Sequence, residues 1–111
     1  MNWQKKVNFA VTVCDAQGKI LEMNEKSCAT FAKDGGEKLI GTNLLDCHPE
    51  PARSKVAALL ASPQTNAYTI SKNGQKKLIY QTAWYDDSGK FSGYVELSLV
   101  LPENMPHKIR S

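Results

Sequence analysis

Asn73-Gly74 stands between two runs of alternating apolar and polar residues, and it leaves the second half of the chain little choice. A two-residue type I′ turn needs positive φ at both central positions, and Asn-Gly meets that need better than any other common pair. Residues 66–72 and 75–85 are therefore read as an antiparallel hairpin. Along the longer run, Leu78, Tyr80, Thr82 and Trp84 share one face, and Ile79, Gln81, Ala83 and Tyr85 share the other. Asp86-Asp87-Ser88-Gly89 turns the chain again. Residues 91–101 follow as a third strand, with Val95, Leu97, Leu99 and Leu101 as its apolar face. Gln81 and Glu96 interrupt these runs with polar side chains. If either faces inward it needs a partner, and a polar group of a ligand is one.

The first half supplies two more strands and the helices. Residues 7–14 are rich in β-branched side chains, with Phe9, Val11 and Val13 on one face. Asp15-Ala16-Gln17-Gly18 is a turn, and residues 19–23 return as its partner strand. Before them, residues 2–6 form a short turn with Asn2 as a cap. Asn24 is a good helix N-cap, and Met23 and Cys28 stand in hydrophobic-staple positions around it. The helix predicted over 25–33 carries Cys28, Phe31 and Ala32 and stops at Asp34-Gly35-Gly36. Residues 37–40 add a further turn.

The segment from Gly41 to Arg53 leads into the longest helix. Asp46 or His48 is its expected cap, with Pro49 and Pro51 tolerated in the first turn and Glu50 suited to the dipole there. Val56, Leu59 and Leu60 form its apolar stripe, Arg53, Ser54 and Lys55 its solvent side, and Ser62-Pro63 its end. Residues 102–111 contain two prolines and no helical pattern, so the tail is expected to be extended.

This order predicts an α+β fold in a single domain spanning residues 1–111, with residues 1–6 as an N-terminal segment. A five-stranded antiparallel sheet is covered on one face by short helices and one longer helix, the only material available to cover it. The space between the layers is where a module of this size holds a ligand.

A net charge of +3, with lysines spread in twos, does not point to nucleic acid or to a membrane surface. No apolar run approaches the roughly 20 residues that span a bilayer. Three cysteines without C-x-x-C spacing fit a reducing compartment, and no signal peptide is visible, so the expected location is the cytoplasm.

Several segments, in their order, resemble a PAS domain over nearly the whole chain. They are Asp15-Ala-Gln-Gly18, Met23-Asn24, Leu39-Ile-Gly-Thr-Asn-Leu-Leu45, Cys47-His-Pro-Glu50, Asn73-Gly74 and Gly93-Tyr-Val-Glu96. Many PAS domains read His-Pro-Glu-Asp where the fourth of these falls. The Cys-His-Pro-Glu-Pro segment and the Met-Pro-His-Lys-Ile-Arg ending further resemble small stand-alone bacterial or archaeal PAS proteins. The resemblance implies a non-enzymatic sensory or interaction module in signal transduction. It implies a small-molecule cavity, a homodimer surface or a signalling protein partner. Pro102 and Pro106 argue against the helix through which family members often pass signals, so output is expected through partner binding or dimer rearrangement.

Candidate cavity residues on this reading are Met23, Cys28, Phe31, Leu44, Tyr80 and Trp84, with Tyr94 among the aromatics. The plain alternative for each is core packing. The resemblance implies that His48 is either a haem ligand, as in haem-binding PAS domains, or simply the start of the long helix. Flavin–cysteine photochemistry is not expected, because Gly41-Thr42-Asn43 is followed by Leu44 and not by the reactive cysteine of photoactive relatives. Cys47 and His48 are sequence neighbours and do not face each other on a helix. Cys14, Cys28, Cys47, His48 and His107 lack the spacing of a metal site. A ligand-free homodimer remains the competing class, with Trp3 in a polar N-terminus as its motive.

Overall fold

The computed structural model describes residues 1–111. Helix α1 (Trp3–Lys6) precedes strands β1 (Ala10–Asp15) and β2 (Ile20–Met23). Helix α2 (Glu25–Thr30) continues into two 3-10 turns, Ala32–Asp34 and Gly36–Leu39. Helices α3 (Leu44–Cys47) and α4 (Ala52–Ala61) follow, then β3 (Thr65–Lys72), β4 (Gln75–Tyr85) and β5 (Phe91–Val100). The five strands form one antiparallel sheet in the order β2-β1-β5-β4-β3. The fold is α+β, as the strand and helix order predicts.

The Asn-Gly turn closes β3 onto β4 with Lys72 opposite Gln75, and Asn73 and Gly74 have φ of 52° and 75°. These are the positive values that a type I′ turn requires.

One side chain ties the N-terminal half together. The carboxamide of Asn24 uses both of its lone pairs and both of its N–H groups. Its Oδ1 accepts from the backbone N–H groups of Ser27 and Val11, each at 2.9 Å. Its Nδ2 donates to the carbonyls of Phe9 (2.8 Å) and Gln4 (3.0 Å). The expected N-cap thus also fixes β1 and α1. Asn2 makes no side-chain cap bond.

The long helix begins later than the sequence implies. Asn43 caps the separate four-residue α3 by accepting from Leu45 N–H at 2.9 Å. Pro49 and Pro51 fall in the break, and α4 starts after them. Neither Asp46 nor His48 caps α4. Glu50 does that work instead, accepting from Ser54 N–H at 2.7 Å and from the Ser54 hydroxyl.

The sheet register sorts the strand residues into two faces. Thr12, Glu96, Gln81 and Asn66 lie in one cross-strand row, and Cys14, Tyr94 and Ala83 lie in the next. This face meets the helices: Thr12 Oγ1 lies 2.5 Å from the hydroxyl of the fully buried Ser27 in α2. The Tyr94 hydroxyl donates to the Leu59 carbonyl near the end of α4 and accepts from Gln64 N–H at 3.1 Å. The opposite face carries Val11, Leu97 and Tyr80 in one row, Val13 and Val95 in another, and Leu99 opposite Leu78.

The most apolar faces of β4 and β5 therefore point away from the helices. This corrects the placement of two candidates. Tyr80 is exposed on the outer face, and Trp84 lies on it as well, spanning β5 to donate its indole N–H to the Cys14 carbonyl at 3.0 Å.

Candidate functional site

A cavity of about 400 Å³ lies between the inner sheet face and the helices. That volume is within the usual range for small-molecule sites. Segment 41–44 sets its roof by running beside β2. Ile20 N–H donates to Thr42 O at 2.9 Å, Gly41 N–H to Ile20 O at 2.8 Å, and Leu44 N–H to Gly18 O at 2.8 Å. Asn43 Nδ2 reaches Gln17 O at 2.9 Å. These bonds hold α3 over the β1–β2 end of the sheet, so Leu44, Cys47 and His48 line the cavity from above. Val56, Leu59 and Leu60 of α4 continue that wall with the stripe read from the sequence. Met23, Phe31 and Leu39 close the side beneath the 3-10 turns.

The floor is the polar row. Asn66 Nδ2 donates to Gln81 Oε1 at 2.9 Å, and Gln81 Nε2 donates to Glu96 Oε2 at 2.7 Å. Both Gln81 and Glu96 line the cavity, so the two strand residues that needed partners find each other. Glu96 Oε1 has no protein donor. Cys14 and Tyr94 flank the row, and burial pushes both the Cys14 thiol and the Tyr94 hydroxyl above their ordinary values.

His48 follows the last residue of α3. Its Nδ1 lies 2.7 Å from the Leu44 carbonyl, which only accepts, so Nδ1 carries the hydrogen. Nε2 is left as the nitrogen free to meet a ligand or a metal centre. His48 therefore ends α3 and does not start α4. No three His, Cys, Asp or Glu side chains converge as a metal-holding group.

Of the candidates named from the sequence, Met23, Phe31, Leu44, Tyr94 and His48 border this cavity. Cys28, Tyr80 and Trp84 do not. Cys28 fails because α2 presents Ser27 to the sheet, while the Cys28 thiol turns back toward the Met23 carbonyl at 4.0 Å. Thr12, Ile20, Asp34 and Leu39 border the cavity without having been singled out. Thr12 is placed there by its register opposite Glu96, which no local signal in the sequence gives.

A family model described as PAS fold matches residues 5–103. The chain belongs to the PAS family. PAS domains are sensory and signal-transduction modules. Among solved structures, this PAS domain is similar to the Aer2 receptor of Vibrio cholerae, described as a dual PAS-heme oxygen sensor. The identity is 17%, with 86% of this chain and 96% of that one covered and a TM-score of 0.66. It is similar to the PAS domain of BvgS from Bordetella pertussis at 18% identity, covering 90% and 82%, with a TM-score of 0.67. It also resembles the VqmA dimer of Vibrio cholerae at 15% identity and a TM-score of 0.65, covering 92% of this chain and 51% of that one. At these identities the likeness is one of fold. No curated protein matches in sequence. No helix is long and apolar enough to cross a membrane.

Proposed function

We propose that this PAS domain is a non-enzymatic sensor that binds a small molecule in the cavity between its sheet and its helices. The observation that carries the reading is the polar Gln81–Glu96 floor of a mostly apolar cavity. Gln81 and Glu96, half-buried on the covered face with one carboxylate oxygen unpaired, cost stability relative to apolar packing unless something uses them. A ligand seated there pairs with the free carboxylate oxygen and with His48 Nε2. Three free thiols, one of them exposed at Cys47, suit a reducing compartment such as the cytoplasm.

The test is chemical-shift mapping of the labelled protein against small-molecule extracts of its own host. The reading expects backbone amides of Leu44, Val56 and Tyr94 to move while those of Leu78 and Leu97 stay. Shifts confined to the outer face would reject it.

A second reading concerns how the signal leaves. Val11, Val13, Leu97, Leu99 and Tyr80 make an apolar surface on the outer face, with Tyr80 exposed. Such a surface is the kind that a partner covers. A second copy of this chain is the occupant we infer, since the VqmA structure it resembles is described as a dimer. Sedimentation velocity checks this, and a monomer at micromolar concentration would exclude it.

A further inference from the structure

We infer that the molecule held in the cavity is a small amine: an apolar body carrying one protonated nitrogen that docks on Glu96. The inference rests on the ligand-binding reading above and adds the chemical class. Eleven of the sixteen residues around the cavity are hydrophobic, which sets the body of the ligand. The charged groups around it are less ordinary. The chain carries 14 Lys and Arg against 11 Asp and Glu, yet no Lys or Arg borders the cavity. Its carboxylates are Glu96 on the floor and Asp34, which is exposed.

The hydrogen bonds make the same selection. Glu96 is held by Gln81, which is itself held by Asn66, so the carboxylate is fixed in orientation with Oε1 left over. The Tyr94 hydroxyl, the strongest neutral donor nearby, is committed to the Leu59 carbonyl. His48 has spent its Nδ1–H on Leu44, so in the neutral ring Nε2 accepts. What remains for an anion is one amide hydrogen of Gln81 and the Thr12 hydroxyl, beside a carboxylate that repels it. What remains for an ammonium is a fixed carboxylate oxygen in a partly dry site. A charge-assisted bond is at its strongest there. A neutral alcohol makes the weaker version of the same contact.

The experiment uses three probes that share one body: 2-phenylethylamine, 2-phenylethanol and 3-phenylpropionate. Each is titrated into the full labelled chain and followed by the amide shifts of cavity residues. The amine is expected to bind at least about tenfold more tightly than the alcohol, with the propionate weakest. Glu96→Gln keeps the shape of the side chain and should bring amine and alcohol to within about threefold of each other. Asp87→Asn, at an exposed position that does not border the cavity, should leave the preference in place. Equal or tighter binding of the alcohol or propionate by the unaltered chain would overturn the assignment, whatever the variants do. So would an amine preference that survives in Glu96→Gln. In both cases the cavity still binds, and only the ligand class falls. If none of the three probes moves a cavity amide, the sensing reading falls with it.

Discussion

Gln81 donates to Glu96 at 2.7 Å across β4 and β5, on the face of the sheet that the helices cover. The floor of the cavity is therefore polar, and the most apolar rows of β4 and β5 lie on the outer face. Removing the donor leaves the carboxylate without its anchor. Gln81→Leu is expected to lower stability by about 1–3 kcal/mol, the usual range for orphaning a partly buried acceptor. Urea unfolding with an unchanged m-value measures it; a neutral or stabilising result would mean that the ladder is solvated and not part of the interior.

Gly93 has φ of 141°, and a Cβ built there would sit 1.9 Å from the Cys14 carbonyl oxygen. Neither the backbone conformation nor the space admits a side chain. The same carbonyl receives the Trp84 indole. Gly93→Ala is expected to cost about 3 kcal/mol or more, in the range reserved for backbone strain combined with overpacking. Trp84→Phe, which removes the indole N–H together with part of the ring, should cost about 1 kcal/mol through that bond in addition to the lost packing.

Asn24→Asp separates the two jobs of the N-cap. Aspartate caps helices as well as asparagine does. It still accepts from Ser27 and Val11 but cannot donate to Gln4 and Phe9. Amide exchange is expected to rise in residues 3–9 while α2 keeps its protection, with an overall loss of about 2–4 kcal/mol. Uniform exchange across both segments would mean that α1 and β1 are not held through this side chain.

Stability should fall at both ends of the pH scale. Hydrogen bonds from Ser54 hold the Glu50 carboxyl below its ordinary value, and those from Ser88 and Lys90 do the same for Asp86. A lowered folded value means that the contribution is complete above the unfolded carboxylate range, about pH 4, and disappears as pH drops through the folded value. Tyr94 is raised by burial, so its contribution is complete below its unfolded value, about pH 10, and is lost as pH climbs through the folded one. Glu50→Gln should flatten the acid side of the stability curve and Tyr94→Phe the alkaline side. Variants that merely shift the whole curve would refute these assignments.

On the outer face, Leu97→Lys should turn a dimer into a stable monomer, because it places a charge in the centre of the apolar rows without touching the cavity. Sedimentation velocity reads the mass, and amide shifts of Val56 and Tyr94 report whether the interior is unchanged. A dimer that persists in Leu97→Lys would put the contact elsewhere.

The strands were legible because Asn73-Gly74 and the alternation of 75–101 are local signals. The N-cap at Asn24 was legible for the same reason. Which side of the sheet the helices cover was not. Alternation says that Leu97 and Leu99 share a face, and that Glu96 takes the other. It does not say which face is inside, and hydrophobicity gives the wrong answer when the outer face is itself apolar. Tyr80 and Trp84 were misplaced through that gap. Gln81 and Glu96 were visible as a condition, two polar residues needing partners, but the register that pairs them is a long-range property. The late start of α4 was hidden because Pro49 and Pro51 can sit either in a first helical turn or before it.

The central claim is that the cavity above Glu96 and Gln81 is a ligand site. The most direct measurement is native mass spectrometry of the protein isolated from its own host, beside a Val56→Trp variant whose indole fills the space under α4. The account predicts a small added mass on the unaltered chain and none on the variant, both being folded by their amide spectra. The bare chain mass in both, or an added mass that survives Val56→Trp, would contradict it.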